Sequence, residues 1–466
     1  MPTPSASAWS AWVQRRLLLG WEPTPELLAI LLVYFVQGVI GLARLAVSFF
    51  LKDELGLTPA TVAALTGIAA LPWMVKPLLG LVADGLPLAG YRRRSYLMLS
   101  GVLGATAWGL LATWVQRPWQ AVAAITMASL ATALGDVIAD SLVVERVRGA
   151  SQSHTGSLQS LCWGTSALGG VITAYFSGAL LDRLGTRAVF GITALFPMLV
   201  TLGAFWVQEL RQPRQKQVVT QVVGQIQQLW TAVKQPGILM PTAFLFLWQA
   251  TPTSDTAFFF FVTNELHFPP EFLGRVRLVT SVAALVGVWI FQRYLRDVPI
   301  RRMLLWTTVL SSALGMTSLL LVTHTNRLLG IPDRWFSLGD SAILTVMGEI
   351  GFMPVLVLAA RLCPPGIEAS LFALLMSVLN LAGGVAHELG ALLTHLLGIT
   401  ETQFDRLWLL VTITNLSSLL PLPLLGWLPE DKATTKPELP PAVVADAVVL
   451  GDVAPGLHFE AVEVES

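Results

Sequence analysis

Two aspartates, Asp136 and Asp140, lie four residues apart inside an apolar run that is about as long as a membrane helix. Residues at this spacing share one face of a helix. A carboxylate at membrane depth is costly unless it faces a polar interior, so such a residue marks a candidate functional site. Because a carboxyl group can also avoid that cost by taking up a proton, we predict proton-coupling roles for both. The structural alternative is permanent pairing with Arg44 or Arg148.

Arg44 lies within the first predicted helix, seven residues after Gln37, so that the two residues share a face. An arginine at this depth requires a carboxylate partner or an anionic ligand. We predict that Arg44 contacts an anionic substrate, and the alternative is an internal salt bridge with Asp136 or Asp140. The two interpretations are compatible if they belong to different conformational states.

The segment LWQATPTSD contains Trp248, Gln249 and Asp255, and Pro252 interrupts the predicted helix between them. Broken helices often provide binding groups in transporters. An aromatic ring beside amide and carboxylate groups suits a flat, hydrogen-bonding heterocycle; the alternative is a tryptophan that only packs at the interface. The predicted substrate-binding residues are Gln37, Arg44, Gln159, Trp163, Trp248, Gln249, Asp255, Glu349 and Asn380.

Charged residues between the second and third predicted helices have the spacing of a gate. The segment GLVAD ends in Asp84, and three consecutive arginines follow shortly after it. We predict a latch in which Asp84 pairs with a basic residue and which breaks when the protein changes state; the alternative is a positively charged membrane anchor. The predicted gate residues are Asp84, Arg92, Arg93, Arg94, Arg148 and Arg361. On the opposite side, we predict that Arg275 and Arg277 anchor a helix at the interface, with steering of anions as the alternative.

The composition predicts the elements that position these residues. Hydrophobic residues make up 54% of the chain, charged residues only 12%, and the mean hydropathy is +0.67. A soluble domain carries roughly 25% charged residues, so the chain is predicted to be an all-α polytopic membrane protein. Taking about 20 apolar residues as one span, we predict twelve transmembrane helices at 26–51, 59–83, 95–115, 119–145, 154–181, 187–207, 238–263, 271–294, 299–323, 338–362, 367–397 and 403–427.

The predicted helices fall into two groups of six. The predicted segments are a cytoplasmic N-terminal segment at 1–25, a first half at 26–207, a cytoplasmic linker at 208–237, a second half at 238–428 and a disordered tail at 429–466. Lys and Arg are roughly twice as numerous on the side that holds both termini, which predicts that both termini are cytoplasmic. The short N-terminal segment contains no signal-peptide core, and a bacterial plasma (inner) membrane is expected.

The two halves also repeat one another in sequence. Gly135–Asp136 matches Gly348–Glu349 at an offset of 213, and the segment Phe49–Pro59 resembles Phe260–Pro270. Two parallel six-helix repeats are typical of the major facilitator fold, in which the substrate site lies between the halves near the middle of the membrane. Chance similarity between apolar helices is the alternative, and the matching charged and proline positions argue against it.

Several classes of function are not supported by the sequence. It contains no Walker A motif, no nucleophile elbow and no metal-ligand spacing, so we expect no enzyme activity, no cofactor and no metal. The formal net charge is zero, which gives no indication of nucleic-acid binding. Cys162 and Cys363 are predicted to be packing residues.

Specific segments resemble the folate–biopterin transporter family, a branch of the major facilitator superfamily. They are KPLLGLVADGLPLAGYRRRSYL (Lys76–Leu97), DVIADSLVVERVR (Asp136–Arg148), GSLQSLCWG (Gly156–Gly164), FLWQATPTSD (Phe246–Asp255) and PVLVLAARLCPPGIEASLFALLMSVLN (Pro354–Asn380). The resemblance covers about residues 30–428 and implies uptake of folates or pterins, driven by a proton gradient, through a monomer in the lipid bilayer. We infer that Trp248, Gln249 and an acid meet the pterin ring and that Arg44 meets the anionic tail. The alternatives are a carrier for another organic anion or drug, and a membrane receptor that does not transport.

Overall fold

The computed structural model describes residues 14, 18, 21–146, 152–211, 231, 233–295, 298–362 and 368–429. This part of the chain is almost entirely helical, and one isolated β-bridge joins Leu88 to Tyr91. In chain order the helices are α1 Pro25–Glu54, α2 Pro59–Gly85, α3 Arg94–Thr113, α4 Pro118–Arg146, α5 152–184, α6 186–203, α7 Pro236–Gln249 continued by Asp255–Phe260, α8 Pro270–Leu295, α9 Ile300–Val322, α10 Asp333–Arg361, α11 Glu368–Leu396 and α12 Leu407–Trp427.

Ten helices in the described residues are long and apolar enough to cross a membrane. One of them, Gly164–Trp206, is 43 residues long, or about 65 Å at the rise of an α-helix. That is roughly twice the thickness of a bilayer core, and the backbone turns at Gly185, where φ is 76°. The broken α7 falls outside the ten because neither of its segments is long enough alone. The count is therefore consistent with the twelve predicted crossings.

Most helix boundaries agree with those predicted within a few residues, and α10 is an exception. It begins at Asp333 rather than at residue 338. The Asp333 carboxylate accepts hydrogen bonds from Asn326 Nδ2 at 2.8 Å and from Arg327 Nη2 at 2.7 Å. A carboxylate in the first turn also interacts favourably with the helix dipole, so the helix extends into a polar stretch that hydropathy alone does not include.

Close backbone contact between α1 and α5 fixes the first half. α1 begins at a Thr24 cap, bends at Gly41 and continues to Phe49 before a π-helical turn at Phe50–Glu54. A Cβ added to Gly38 would lie 2.0 Å from the carbonyl oxygen of Ser166 in α5. Only glycine permits this approach, and the residues of α1 that follow are thereby directed toward the centre of the bundle.

The sequence repeat is present in the backbone. Phe50–Glu54 and Phe261–Glu265 both form π-helical turns, at an offset of 211 residues. Gly56 and His267, also 211 residues apart, both adopt positive φ, at 61° and 53°. The repeat predicted from the segments Phe49–Pro59 and Phe260–Pro270 is thus confirmed at the level of individual backbone angles.

The two halves pack together at one end of the bundle, which we call the distal end because it lies opposite the linker. There the rings of Phe49 and Phe259 meet edge to face with centroids 5.3 Å apart. Lys52, only 9% exposed, donates to Asn264 Oδ1 at 2.7 Å. The apolar cluster around Phe50 includes Phe260 of the second half, whereas the apolar clusters nearer the linker each belong to one half. The described structure is therefore closed at its distal end.

The distal closure depends on a glycine contact between α5 and α8. A Cβ added to Gly178 would lie 2.2 Å from the Pro270 carbonyl oxygen and 2.8 Å from Gly274 Cα. We expect Gly178→Ala to destabilise the protein by about 1–3 kcal/mol, because overpacking forces the helices apart. Thermal unfolding in detergent measures this as a lower Tm.

Gly164→Ala, on the same helix, is the matched control. An added Cβ at Gly164 meets no described atom within 4 Å, and alanine favours a helix over glycine. Its Tm should equal or exceed that of the wild type. Equal losses of Tm in the two variants would contradict the packing argument.

Candidate functional site

A cavity of about 510 Å³ lies between the two halves. Its size falls within the range of roughly 300–1,000 Å³ that ligand pockets occupy. Several residues each of α1, α2, α4, α5, α8 and α11 line it, with single contributions from Trp108 of α3, Gln249 of α7 and Phe352 of α10. The cavity therefore draws on both repeats, as the prediction of a site between them requires.

Four predicted substrate-binding residues line this cavity: Gln37, Arg44, Gln249 and Asn380. They come from α1, α7 and α11, so the fold brings together side chains that are more than 300 residues apart in sequence. Asn380 also donates from Nδ2 to the Trp73 carbonyl oxygen at 3.3 Å, which joins α11 to α2. Gln37 Nε2 is buried without a hydrogen-bond partner among the described residues. Their binding roles stay predictions, and the geometry is compatible with them.

Trp248 and Asp255 lie elsewhere. The Trp248 indole donates to Thr308 Oγ1 of α9 at 2.9 Å and packs on one of the apolar clusters of the second half. Neighbouring residues of a helix point about 100° apart, so Gln249 faces the cavity and Trp248 does not. Asp255 opens the second segment of α7, after the break that Pro252 predicted, and it does not line the cavity.

The three remaining predicted substrate contacts are Glu349, Gln159 and Trp163, and the structure describes the side chain of Glu349 alone among them. Glu349 is 5% exposed inside the second half, where it packs against Gly287 of α8. Gln159 and Trp163 belong to α5, and their side chains lie outside the described residues.

The acids of α4 are held within the first half. Asp136, 4% exposed, forms an ion pair with Lys76 of α2, whose ammonium group lies 5.2 Å from the centre of the Trp73 ring. Asp140 accepts a hydrogen bond of 2.5 Å from the hydroxyl of the buried Tyr34. The partners predicted from the sequence were Arg44 and Arg148, and Lys76 was not among them. Arg148 lies outside the described residues.

The predicted latch joins neighbouring segments of the first half. The Arg93 guanidinium contacts Asp84 at 2.7 Å and Glu145 at 2.8 Å. Burial lowers the pKa of Arg93, but the hydrogen bonds to Glu145 and Asp84 outweigh burial and hold that pKa above its ordinary value. The backbone N–H groups of Arg92, Arg93 and Arg94 donate to the Glu209 carboxylate at 2.6–3.1 Å. Glu209 thus caps α3, a role that the sequence analysis did not identify.

The other predicted gate residues are described less fully. Arg361 ends α10 and is exposed. Arg148 lies outside the described residues. The gate assignment as a whole stays a prediction.

Arg277 is the main cavity residue whose role the sequence analysis missed. It lines the cavity from α8, and its Nη1 atom donates to the Gly41 carbonyl oxygen of α1 at 3.4 Å. Arg275, two residues earlier, is exposed and pairs with Glu271 at 2.6 Å. Residues two apart point to nearly opposite sides of a helix, so the spacing indicated different surroundings for the two arginines but not which of them faces the cavity. That alternation was a signal in the sequence.

His387 of α11 completes the polar lining. It contributes to the same cavity, and its Nδ1 atom is buried without a hydrogen-bond partner among the described residues. The cavity therefore combines two guanidinium groups with amide and imidazole groups. Such a lining can bind an elongated molecule that carries negative charge at one end and hydrogen-bonding groups at the other.

The Lys76–Asp136 pair offers a direct test of how charge is held in the first half. Lys76→Met leaves the buried Asp136 without its cation, and removing one partner of a buried pair costs about 3–5 kcal/mol. We expect a clear fall in Tm, and we expect Lys76→Met combined with Asp136→Asn to recover most of it. Arg275→Gln removes an exposed pair worth about 0.3–0.5 kcal/mol and is the control. A Lys76→Met protein as stable as the wild type would contradict the argument.

Comparisons with known proteins agree with this architecture. The BT1 family profile matches residues 37–447. A folate-biopterin transporter of Synechocystis sp. is 59% identical over 456 residues, which cover 96% of this chain and 92% of that protein. Folate transporter 2 of Plasmodium falciparum is 30% identical over 409 residues, covering 88% and 89% of the two chains.

The solved structures that are similar share the fold at low sequence identity. The crystal structure of the nucleoside transporter NupG superposes with a TM-score of 0.64 at 13% identity, covering 86% of this chain and 98% of that chain. The prediction of a multi-pass membrane protein with the major facilitator fold is confirmed. With a family match across most of its length and a relative at 59% identity, this chain belongs to the BT1 family, the family of the folate–biopterin transporters.

Proposed function

We propose that this chain is a secondary active transporter that moves folates and related pterins across the membrane by alternating access. The observation that carries the proposal is the cavity between the halves, where Arg44 of α1 and Arg277 of α8 line one space together with the amides of Gln37, Gln249 and Asn380. The names of the two relatives, a folate-biopterin transporter and a folate transporter, support the choice of substrate.

A folate matches this lining group by group. Its glutamate tail is anionic, and arginine binds carboxylates through paired hydrogen bonds. Its pteridine ring is flat and both donates and accepts hydrogen bonds, as amide side chains also do. Trp73 and Trp108 border the same cavity and offer aromatic surfaces. These two tryptophans take the role that the sequence analysis assigned to Trp248.

The transport cycle follows from the two-half architecture. The halves, 26–207 and 238–428, rock about the cavity so that one end opens as the other closes. We further propose that both termini, the linker at 208–237 and the tail at 429–466 lie in the cytoplasm of a bacterial cell, with the protein in the plasma membrane as a monomer. The described state, sealed by Phe49, Phe259 and the Lys52–Asn264 bond, is then closed to the outside. The latch of Asp84 with Arg93 breaks and re-forms as the state changes.

Coupling to protons is the second part of the proposal. The described bundle contains carboxyl groups that are almost fully buried, and acids at this depth are typical of proton relays. Asp136 and Asp140 are the proton-coupling residues predicted from sequence. An inward proton gradient would drive accumulation of the substrate as a symport.

Labelled folate uptake into proteoliposomes tests the substrate. We expect Arg44→Ala to reduce folate uptake at least tenfold, since a hydrogen bond to a charged group contributes about 1.5–3 kcal/mol. Arg275→Gln, which changes an exposed arginine outside the cavity, should retain wild-type uptake. Competition by unlabelled biopterin but not by a simple dicarboxylate would distinguish a pterin carrier from a carrier of other organic anions. Wild-type uptake by an equally expressed Arg44→Ala protein would contradict the proposed site.

An imposed proton gradient tests the coupling. We expect folate to accumulate in vesicles only when the gradient is directed inward, and an ionophore that collapses the gradient should abolish accumulation. Preloaded unlabelled folate should still accelerate entry of labelled folate, since a carrier exchanges substrate across the membrane, whereas a receptor does not. Accumulation that is the same with and without the gradient would rule out proton coupling but would leave the proposal of a folate carrier in place.

A further inference from the structure

Glu349 of α10 is a buried acid whose counterpart in the first half is neutralised. It matches Asp136 at the sequence offset of 213, and the two residues are similarly buried, at 5% and 4% exposure. Asp136 has an ion pair with Lys76 of α2. The residue of the second half that is equivalent to Lys76 therefore decides whether Glu349 has a similar cation.

In the second half, a glycine occupies the position equivalent to Lys76. Pro59 and Pro270 begin α2 and α8 at an offset of 211 residues, and the same offset relates Lys76 to Gly287. The contact is also equivalent in space: α2 meets α4 at Lys76 and Asp136, and α8 meets α10 at Gly287 and Glu349. A Cβ added to Gly287 would lie 2.8 Å from the Glu349 Cβ atom. At the equivalent positions, the second half has the acid but neither the cation nor the room for one.

No charged group in the described residues lies within ion-pair distance of Glu349, and its Oε2 atom is buried without a hydrogen-bond partner there. The charged or titratable side chains on α10 and on the helices packed against it include Arg277 and Arg293 of α8, Arg301 and Arg302 of α9, His387 and Glu388 of α11, and Asp340 and Arg361 of α10. Arg277 and Arg293 are ten and six residues from Gly287, or about 15 and 9 Å along the helix.

An isolated carboxylate in such surroundings is very unfavourable, and the group is stable there only as the neutral acid. Phe352, one helical turn after Glu349, lines the central cavity. A small rotation of α10 would therefore bring the carboxyl group to the cavity and to water. Movement of helices between two states is what alternating access requires.

We propose that Glu349 is the proton-carrying residue of this transporter, whereas Asp136 and Lys76 form a lasting structural pair. This rests on the proposed proton-coupled transport. In the described state the Glu349 carboxyl holds one proton. When α10 moves and exposes this group to a cavity that is open to the cytoplasm, the O–H bond breaks, the proton passes to water and the carboxylate remains. Return to the outward-open state lets the carboxylate take up a proton from water on the other side.

Glu349→Gln separates coupling from transport. The amide imitates the neutral acid but carries no exchangeable charge, so we expect gradient-driven folate accumulation to fall at least tenfold while folate exchange across preloaded vesicles stays within about twofold of wild type. Asp340→Asn, on the same helix, changes an acid already held by the hydroxyls of Thr317 and Ser318 and should retain accumulation. Accumulation by Glu349→Gln at the wild-type rate, or equal loss of accumulation and exchange, would overturn the proposal.

Stability and infrared spectra provide readouts that need no substrate. Glu349→Gln should unfold at or above the wild-type Tm, whereas Asp136→Asn, which removes the ion pair with Lys76, should unfold at a lower Tm. Infrared spectra at neutral pH, where exposed carboxyl groups are ionised, should contain the carbonyl band of a protonated carboxyl group in the wild type and in Asp340→Asn, and Glu349→Gln should lack it. The same band in Glu349→Gln would overturn the inference. If the wild type shows this band but transports no pterin, the substrate assignment is wrong, whereas the inference that Glu349 is protonated is retained.

Discussion

The free-energy cost of placing a charged side chain inside a helical bundle surrounded by lipid determines how this protein arranges its buried charges. Each buried charge must be paired, solvated in a cavity or neutralised by a proton, and the two halves use these solutions differently. The first half pairs Asp136 with Lys76 and places Asp140 against the Tyr34 hydroxyl. Arg44 and Arg277 line the cavity between the halves. The second half leaves Glu349 beside a glycine, and we propose that this carboxyl group is neutralised by a proton.

The repeat explains how one fold can hold both a rigid part and a changing part. Backbone features such as the π-helical turns Phe50–Glu54 and Phe261–Glu265 are the same in both halves, because each half must form the same six-helix unit. The side chains at equivalent positions differ. Lys52 in one turn reaches Asn264 in the other, so the symmetry of the backbone creates an asymmetric contact across the interface. Glycines at the α5–α8 crossing then allow the distal end to close.

Hydropathy, the proline breaks and the offset between halves were enough to predict the helices and their grouping, since length and apolar character are properties of each segment alone. Four of the predicted substrate-binding residues also reached the cavity. They are polar residues on helices that face both halves, and a polar side chain in an apolar helix must point inward wherever the helix lies. Trp248 illustrates the limit of such reasoning, because an amphipathic ring can pack equally well on either side of a helix.

Pairings between helices could not be predicted from the sequence. Lys76 and Arg277 each lie near a helix end, where a basic residue is expected at the membrane surface, and only the packing of α2 on α4 and of α8 on α1 turns them inward. The sequence by itself determined a membrane bundle of two repeats with acids and an arginine at depth. The tertiary structure alone decided which charges are paired, because a charge is neutralised by whichever group lies within a few ångströms in space, and helix packing rather than position along the chain sets that distance.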